Sequence, residues 1–216
     1  FDLQTDEVTS VTDRDPDESA PAVAEDGRIA YLSGTELMVQ DDNRTRALGA
    51  GFADPVWRDG RLAAGYKNRL VEIGEGGSIR TMCETTRGAS VRRPKPFAEG
   101  FVFVRQIYHR TIWYCDPATG ETRALSRQPD APATRDVDPV AGTSDGAYLY
   151  IRNDGAGGIW RGHLGAAREQ LVLPNDDAFD RRPAVSDDGT RLLFDSDRTG
   201  RREIWLMRLQ RDLSFV

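Results

Sequence analysis

The side chains of this chain that could do chemistry fall into three groups. Glu18, Asp136 and Asp180 are carboxylates that each precede an apolar run. Two carboxyl groups held roughly 5–10 Å apart across a pocket can hydrolyse a glycosidic bond, one as acid and the other as base or nucleophile. Arg92, Arg93, Arg110, Arg181 and Arg198, with Tyr108 and His109 beside them, make the second group. Guanidinium groups grip carboxylates through paired N–H donors, and exposed aromatic side chains anchor peptides. The third group is His109, His163, Cys83 and Cys115, the only histidines and cysteines. Two histidines cannot build a three-histidine metal site, and the cysteines lack metal-ligand spacing. No metal and no cofactor is expected. A disulfide needs Cα atoms within about 7 Å, so a bridge and two free buried thiols both stay open.

Two motifs have the spelling of a site without its setting. Gly142-Thr-Ser-Asp-Gly146 reads like a nucleophile elbow. That device needs a strand-to-helix turn and a downstream histidine, and no helix follows. The glycine-rich run at 153–158 would cradle a phosphate only if a helix N-terminus came after it, so it is read as a flexible loop. Asp188 and Asp197 sit in turns, where a carboxylate that accepts from turn amides explains them fully.

The elements that must position these residues are short strands. Residues 180–209 read as a strand at Pro183 and Val185, a Ser-Asp-Asp-Gly turn, a strand at Leu192-Leu-Phe194, a second turn ending at Gly200, and a strand at Ile204-Trp-Leu-Met207. Asp-Gly and Thr-Gly between apolar runs are strong hairpin signals. The pattern recurs four more times in weaker form, with first-turn glycines at 27, 60, 100, 146 and 189. Trp113, Trp160 and Trp205 hold one place in the last three units, each preceded by Ile. A period near 40 residues, built of strands without helices, is a propeller signature. The expected fold is an all-β propeller of about five four-stranded blades, over 13–50, 51–82, 83–126, 127–173 and 174–216. Residues 8–12 would close the ring as the outer strand of the blade that holds Trp205. The competing reading is a larger propeller, with residues 213–216 as that blade's own outer strand.

Pro-x-x-Ser-x-Asp-Gly, then Leu-x-Phe-x-Ser-Asp-Arg-x-Gly, then Ile-Trp, resembles the TolB-type (WD40-like) β-propeller repeat. The match is best in the fifth unit and weakest in the second. The resemblance implies a periplasmic or extracellular, non-catalytic scaffold that binds a protein or peptide at the channel face. There the loops entering the inner strands bring Arg92, Arg93, Asp136, Asp180 and Arg181, and the second turns bring Tyr108, His109, Arg110 and Arg198. The alternatives are a hydrolase that uses Glu18, Asp136 and Asp180, or the propeller of a larger peptidase or sensor.

Composition narrows the partners. The net charge is -6, with 35 acidic against 29 basic residues, so no overall basic footprint for nucleic acid exists. No apolar run approaches the ~20 residues of a membrane-spanning helix, and no membrane insertion is expected. A monomer is the expected state.

Overall fold

The computed structural model describes residues 17–41, 44–126, 135–140, 146–153, 157–164, 169–173, 178–186, 188 and 190–209. At 135–140, 153, 157, 169–171, 173 and 181 it describes the backbone alone. Residues 8–12 and 213–216, both invoked for closure, lie outside these, as do most of the Gly142–Gly146 motif and the middle of the 153–158 loop.

The described chain is all β, with no helix. Its strands form antiparallel sheets in which sequence neighbours pair. The first sheet holds β1 (Glu18–Val23), β2 (Ile29–Ser33), β3 (Glu36–Asp41) and β4 (Arg44–Ala50). The second holds β5 (Phe52–Arg58), β6 (Arg61–Tyr66), β7 (Arg69–Ile73) and β8 (Ile79–Glu84). The third holds β9 (Ser90–Phe97), β10 (Gly100–Gln106), β11 (Arg110–Cys115) and β12 (Thr122–Ala124). The fourth holds β13 (Arg135–Val140), β14 (Ala147–Asn153), β15 (Gly157–His163) and β16 (Glu169–Leu173). The fifth has three described strands, β17 (Arg181–Val185), β18 (Arg191–Ser196) and β19 (Glu203–Arg208).

The second, third and fourth sheets are each packed between two neighbours, which explains why their central strands are apolar on both faces. In β10, Phe101 and Phe103 pack with Leu70 and Cys83 of the second sheet. The alternate residues Val102 and Val104 pack with Tyr148 and Tyr150 of the fourth. Equivalent cores fill the gap between the first and second sheets and between the fourth and fifth. Trp113, Trp160 and Trp205 all lie on third strands and pack into successive inter-sheet cores, as the repeat predicts. Each is covered by an arginine, Arg105 at 4.7 Å, Arg152 at 4.4 Å and Arg198 at 5.0 Å from the ring centroid. The far face of the fifth sheet is different, for Leu193, Ile204 and Leu206 are exposed there.

Cys83 of β8 and Cys115 of β11 form a disulfide, with Cα atoms 6.0 Å apart. It fastens the second sheet to the third and answers the question the sequence leaves open. The second unit, weakest in sequence, folds as a complete four-stranded sheet. His163 is half-buried at the end of β15.

Candidate functional site

Proline decides the geometry of every innermost strand. It cannot donate to a ladder, so within a sheet it sits at an edge or a bulge. Each innermost strand carries a bulge at its proline, where two residues oppose one on the partner strand. The residues just before those prolines are Ala20, Asp54, Arg93, Asp138 and Arg182. Four of them have left-handed backbones, with φ of 51° at Ala20, 48° at Asp54, 50° at Arg93 and 48° at Arg182. A non-glycine residue held there costs on the order of 1–3 kcal/mol and persists only where its surroundings fix it. Bulges of this kind re-aim side chains. Among the described side chains, the bulges thus re-aim Ala20, Asp54, Arg93 and Arg182, one in each of four sheets.

Residues of the second and third sheets line a cavity of about 310 Å³ beside these bulges: Asp54, Arg92, Arg93, Val104, Gln106 and Arg110. The carboxylate of Asp54 accepts the backbone N–H of Arg93 at 3.1 Å, which ties the two bulges together. Nearby, Val91 N–H donates to the Lys67 carbonyl at 2.8 Å. Gly65 lets the backbones approach, since a Cβ there would stand 2.2 Å from the Val91 carbonyl oxygen. Arg110 donates from Nε to Gln106 Oε1 at 3.2 Å, and Arg92 is exposed. Among the described residues that line the cavity, three are arginines and one is an aspartate, on a chain whose net charge is -6. Such a site suits an anionic group, above all a planar carboxylate.

Arginines at the other end of the sheets are used differently. Arg28 pairs with Asp26 at 2.7 Å and donates to the Gly60 carbonyl at 3.0 Å. Arg58 donates to the Ala98 carbonyl at 2.7 Å and to the Gly100 carbonyl. Each reaches from one sheet to the first-turn residues of the next, a structural task. Asp26 accepts from both the backbone and the side chain of Arg28, and its carboxyl titrates below the usual range.

Of the residues singled out from sequence, the structure brings Arg92, Arg93 and Arg110 together. Tyr108 and His109 line a separate cavity with Arg105 and Trp113. Strand alternation is the reason: Val104 and Gln106 turn to one face of β10, and Arg105 turns to the other. Tyr108 itself is 91% exposed at the tip of the β10–β11 turn. Asp180 is sealed from solvent and paired with Arg198 at 3.1 Å, while Arg198 stacks on Trp205. Asp195, also buried, takes Arg182 at 3.2 Å and Arg202 at 3.0 Å. Asp136 and Arg181 lie on β13 and β17, and their side chains fall outside the described atoms. Glu18 begins β1, half-buried. Asp54 and Gln106 escape a sequence search for unusual residues. The signal for Asp54 is its place before Pro55, matching Arg93 before Pro94. Among the described residues no group of His, Cys, Asp and Glu is arranged to hold a metal ion.

No protein-family model and no curated sequence matches the chain. Solved structures do. A TolB protein from Agrobacterium tumefaciens superposes with a TM-score of 0.66 at 16% identity, over 89% of this chain and 77% of its own. A puromycin-hydrolysing peptidase from Mycobacterium tuberculosis gives 0.68 at 15% identity, over 90% of this chain and 36% of its own. The extracellular domain of a hybrid two-component system from B. thetaiotaomicron gives 0.70 at 11% identity, over 94% and 28%. The fold is therefore that of a TolB-like β-propeller. This chain spans about a third of the peptidase and of the two-component domain. Among the described residues no helix is long and apolar enough to cross a membrane.

Proposed function

We propose that this protein is a non-catalytic scaffold that captures a protein or peptide partner through an acidic group seated in the Arg92–Arg93–Arg110 cavity. The observation that carries this reading is the meeting of Arg92, Arg93 and Arg110 around one cavity, beside the strained bulges that Asp54 and Arg93 bond together. A bidentate arginine contact adds geometric specificity to charge. Tyr108, exposed at the tip of the β10–β11 turn that leads into Arg110, supplies an anchor of the kind found in interface hot spots. Nucleic acid and membrane insertion play no part in this reading, and the protein acts as a monomer without a cofactor or metal. A scaffold fits better than a hydrolase because Asp180, one of the three candidate carboxylates, is sealed and held by Arg198. The disulfide supports a periplasmic or extracellular location, since such bonds persist in oxidising compartments.

We read the sheets as five blades of one ring, with residues 8–12 completing the fifth. Removing residues 1–12 should then lower the melting temperature by several degrees, and an unchanged Tm would point to the larger propeller.

The functional reading is tested with fluorescein-labelled peptides rich in Asp and Glu, set against their Asn and Gln counterparts. Only the acidic peptide should bind, and Arg93→Ala should weaken it about tenfold or more, as loss of a charged hydrogen bond does. Tyr108→Ala should also weaken capture, with Tm nearly unchanged in both variants. Equal binding of the two peptides, or full affinity in Arg93→Ala, would overturn the reading.

A further inference from the structure

We propose that the second cavity, on the face of the third sheet turned away from Arg93, is a separate binding site for a carboxylate group on an apolar body. The cavity holds about 250 Å³, and Ile107, Tyr108 and Trp113 give it apolar and aromatic walls. Its polar lining is Arg105, His109, Thr111 and Ser126, with no acidic residue among the described residues that line it.

The hydrogen-bond inventory identifies the ligand chemistry. Thr111 Oγ1 already accepts from the Trp113 indole N–H at 2.9 Å. Ser126 Oγ already accepts from the Ile112 backbone N–H at 2.9 Å. What these two hydroxyls still offer the cavity includes their own O–H donors. Arg105 Nε and His109 Nδ1 are buried and have no hydrogen-bond partner among the described residues. The Arg105 Nε–H can only donate, and His109 donates from Nδ1 in the matching tautomer. A buried donor without an acceptor is costly, so the cavity calls for a ligand that brings acceptor oxygens.

Charge and geometry favour a carboxylate over a neutral acceptor. The Arg105 guanidinium has no carboxylate partner among the described residues that line the cavity. It is also fixed in place, for its centre stands 4.7 Å over the Trp113 ring and its Nη2 donates to Thr86 Oγ1 at 3.1 Å. The apolar walls would bury a ring or a short methylene chain. A small free arylcarboxylate and the Asp or Glu side chain of a peptide share this chemistry.

Entry of a ligand is read directly at Trp113, through its indole N–H resonance in ¹⁵N-labelled protein. Benzoate should give a saturable shift at that resonance, and benzamide, its neutral counterpart of similar size, should bind at least about tenfold more weakly. Arg105→Lys keeps a cation and removes Nε, and it should weaken benzoate about tenfold. His109→Phe should act in the same direction if Arg105→Lys perturbs the stack on Trp113. N-acetylglutamate α-amide distinguishes the sources: tighter binding than benzoate marks a peptide side chain, and weaker binding marks a free arylcarboxylate. Arg92→Ala should leave the Trp113 shift unchanged, which separates this site from the cavity on the other face. The proposal is overturned if benzamide matches benzoate, if neither shifts Trp113, or if both variants keep affinity within about twofold.

Discussion

The carboxylate of Asp54 accepts the backbone N–H of Arg93 at 3.1 Å, so the bulge of one sheet holds the bulge of the next. The same carboxylate is the one acidic group among the described residues that line the cavity. These two roles separate by substitution. Asp54→Asn keeps an acceptor for Arg93 and removes the charge, so acidic-peptide affinity should rise while stability holds. Asp54→Ala leaves the N–H without its acceptor and should cost about 1 kcal/mol in urea denaturation. Equal stability of the two variants would show that the bond does not hold the bulges.

Gly65 sets the approach of the second and third sheets. In Gly65→Ala the new methyl would meet backbone, the Val91 carbonyl, which cannot swing aside as a flexible side chain would. Overpacking of this kind costs about 1–3 kcal/mol. Acidic-peptide binding should fall along with stability, because Val91 immediately precedes Arg92 and Arg93. A variant as stable as the parent would contradict the contact.

The Cys83–Cys115 bridge closes a loop with a sequence separation of 32. Loop-closure entropy for that length corresponds to about 3–4 kcal/mol. Denaturant curves of the oxidised and reduced protein should differ by about that amount. A difference under about 1 kcal/mol would mean that inter-sheet packing already constrains the loop.

Asp188 accepts from the Thr190 backbone N–H at 3.0 Å and from the Ser186 and Thr190 hydroxyls at 2.5 and 2.8 Å. These bonds, Ser186 foremost, hold its carboxyl down at about 2. A depressed carboxylate stabilises the fold above its unfolded pKa, and that contribution is lost as pH falls from about 4 through about 2. Titration of the Asp188 side-chain carbon by NMR should show a midpoint near 2. A midpoint in the ordinary carboxylate range would refute the turn geometry, and Asp188→Asn should flatten this part of the acid limb.

Much of the fold was legible because the propeller repeat constrains types at fixed places. The prolines mark the inner-strand bulges, and Trp113, Trp160 and Trp205 mark third strands that face the preceding sheet. The site was legible in part. Arg92, Arg93 and Arg110 stand out as departures from the repeat, and they converge. Tyr108 and His109 are adjacent to Arg110 in sequence yet line another cavity, because neighbouring strand residues face opposite ways. Asp54 hid in the most degenerate unit, and Gln106 at the end of an apolar strand. The disulfide joins strands of different sheets, a proximity that no local pattern records. Asp180 reads as an exposed rim carboxylate in sequence but is buried beneath Arg198.

The central claim is that the cavity beside the bulges receives an acidic group of a partner. Backbone amide shifts during titration with an Asp- and Glu-rich peptide test it most directly. The account predicts saturable shifts that concentrate at Asp54, Arg92, Arg93, Gln106 and Arg110 and vanish with the Asn and Gln counterpart. Shifts centred instead on the opposite turns, at Asp26-Gly27 and Asp59-Gly60, or no saturable shift at all, would contradict it.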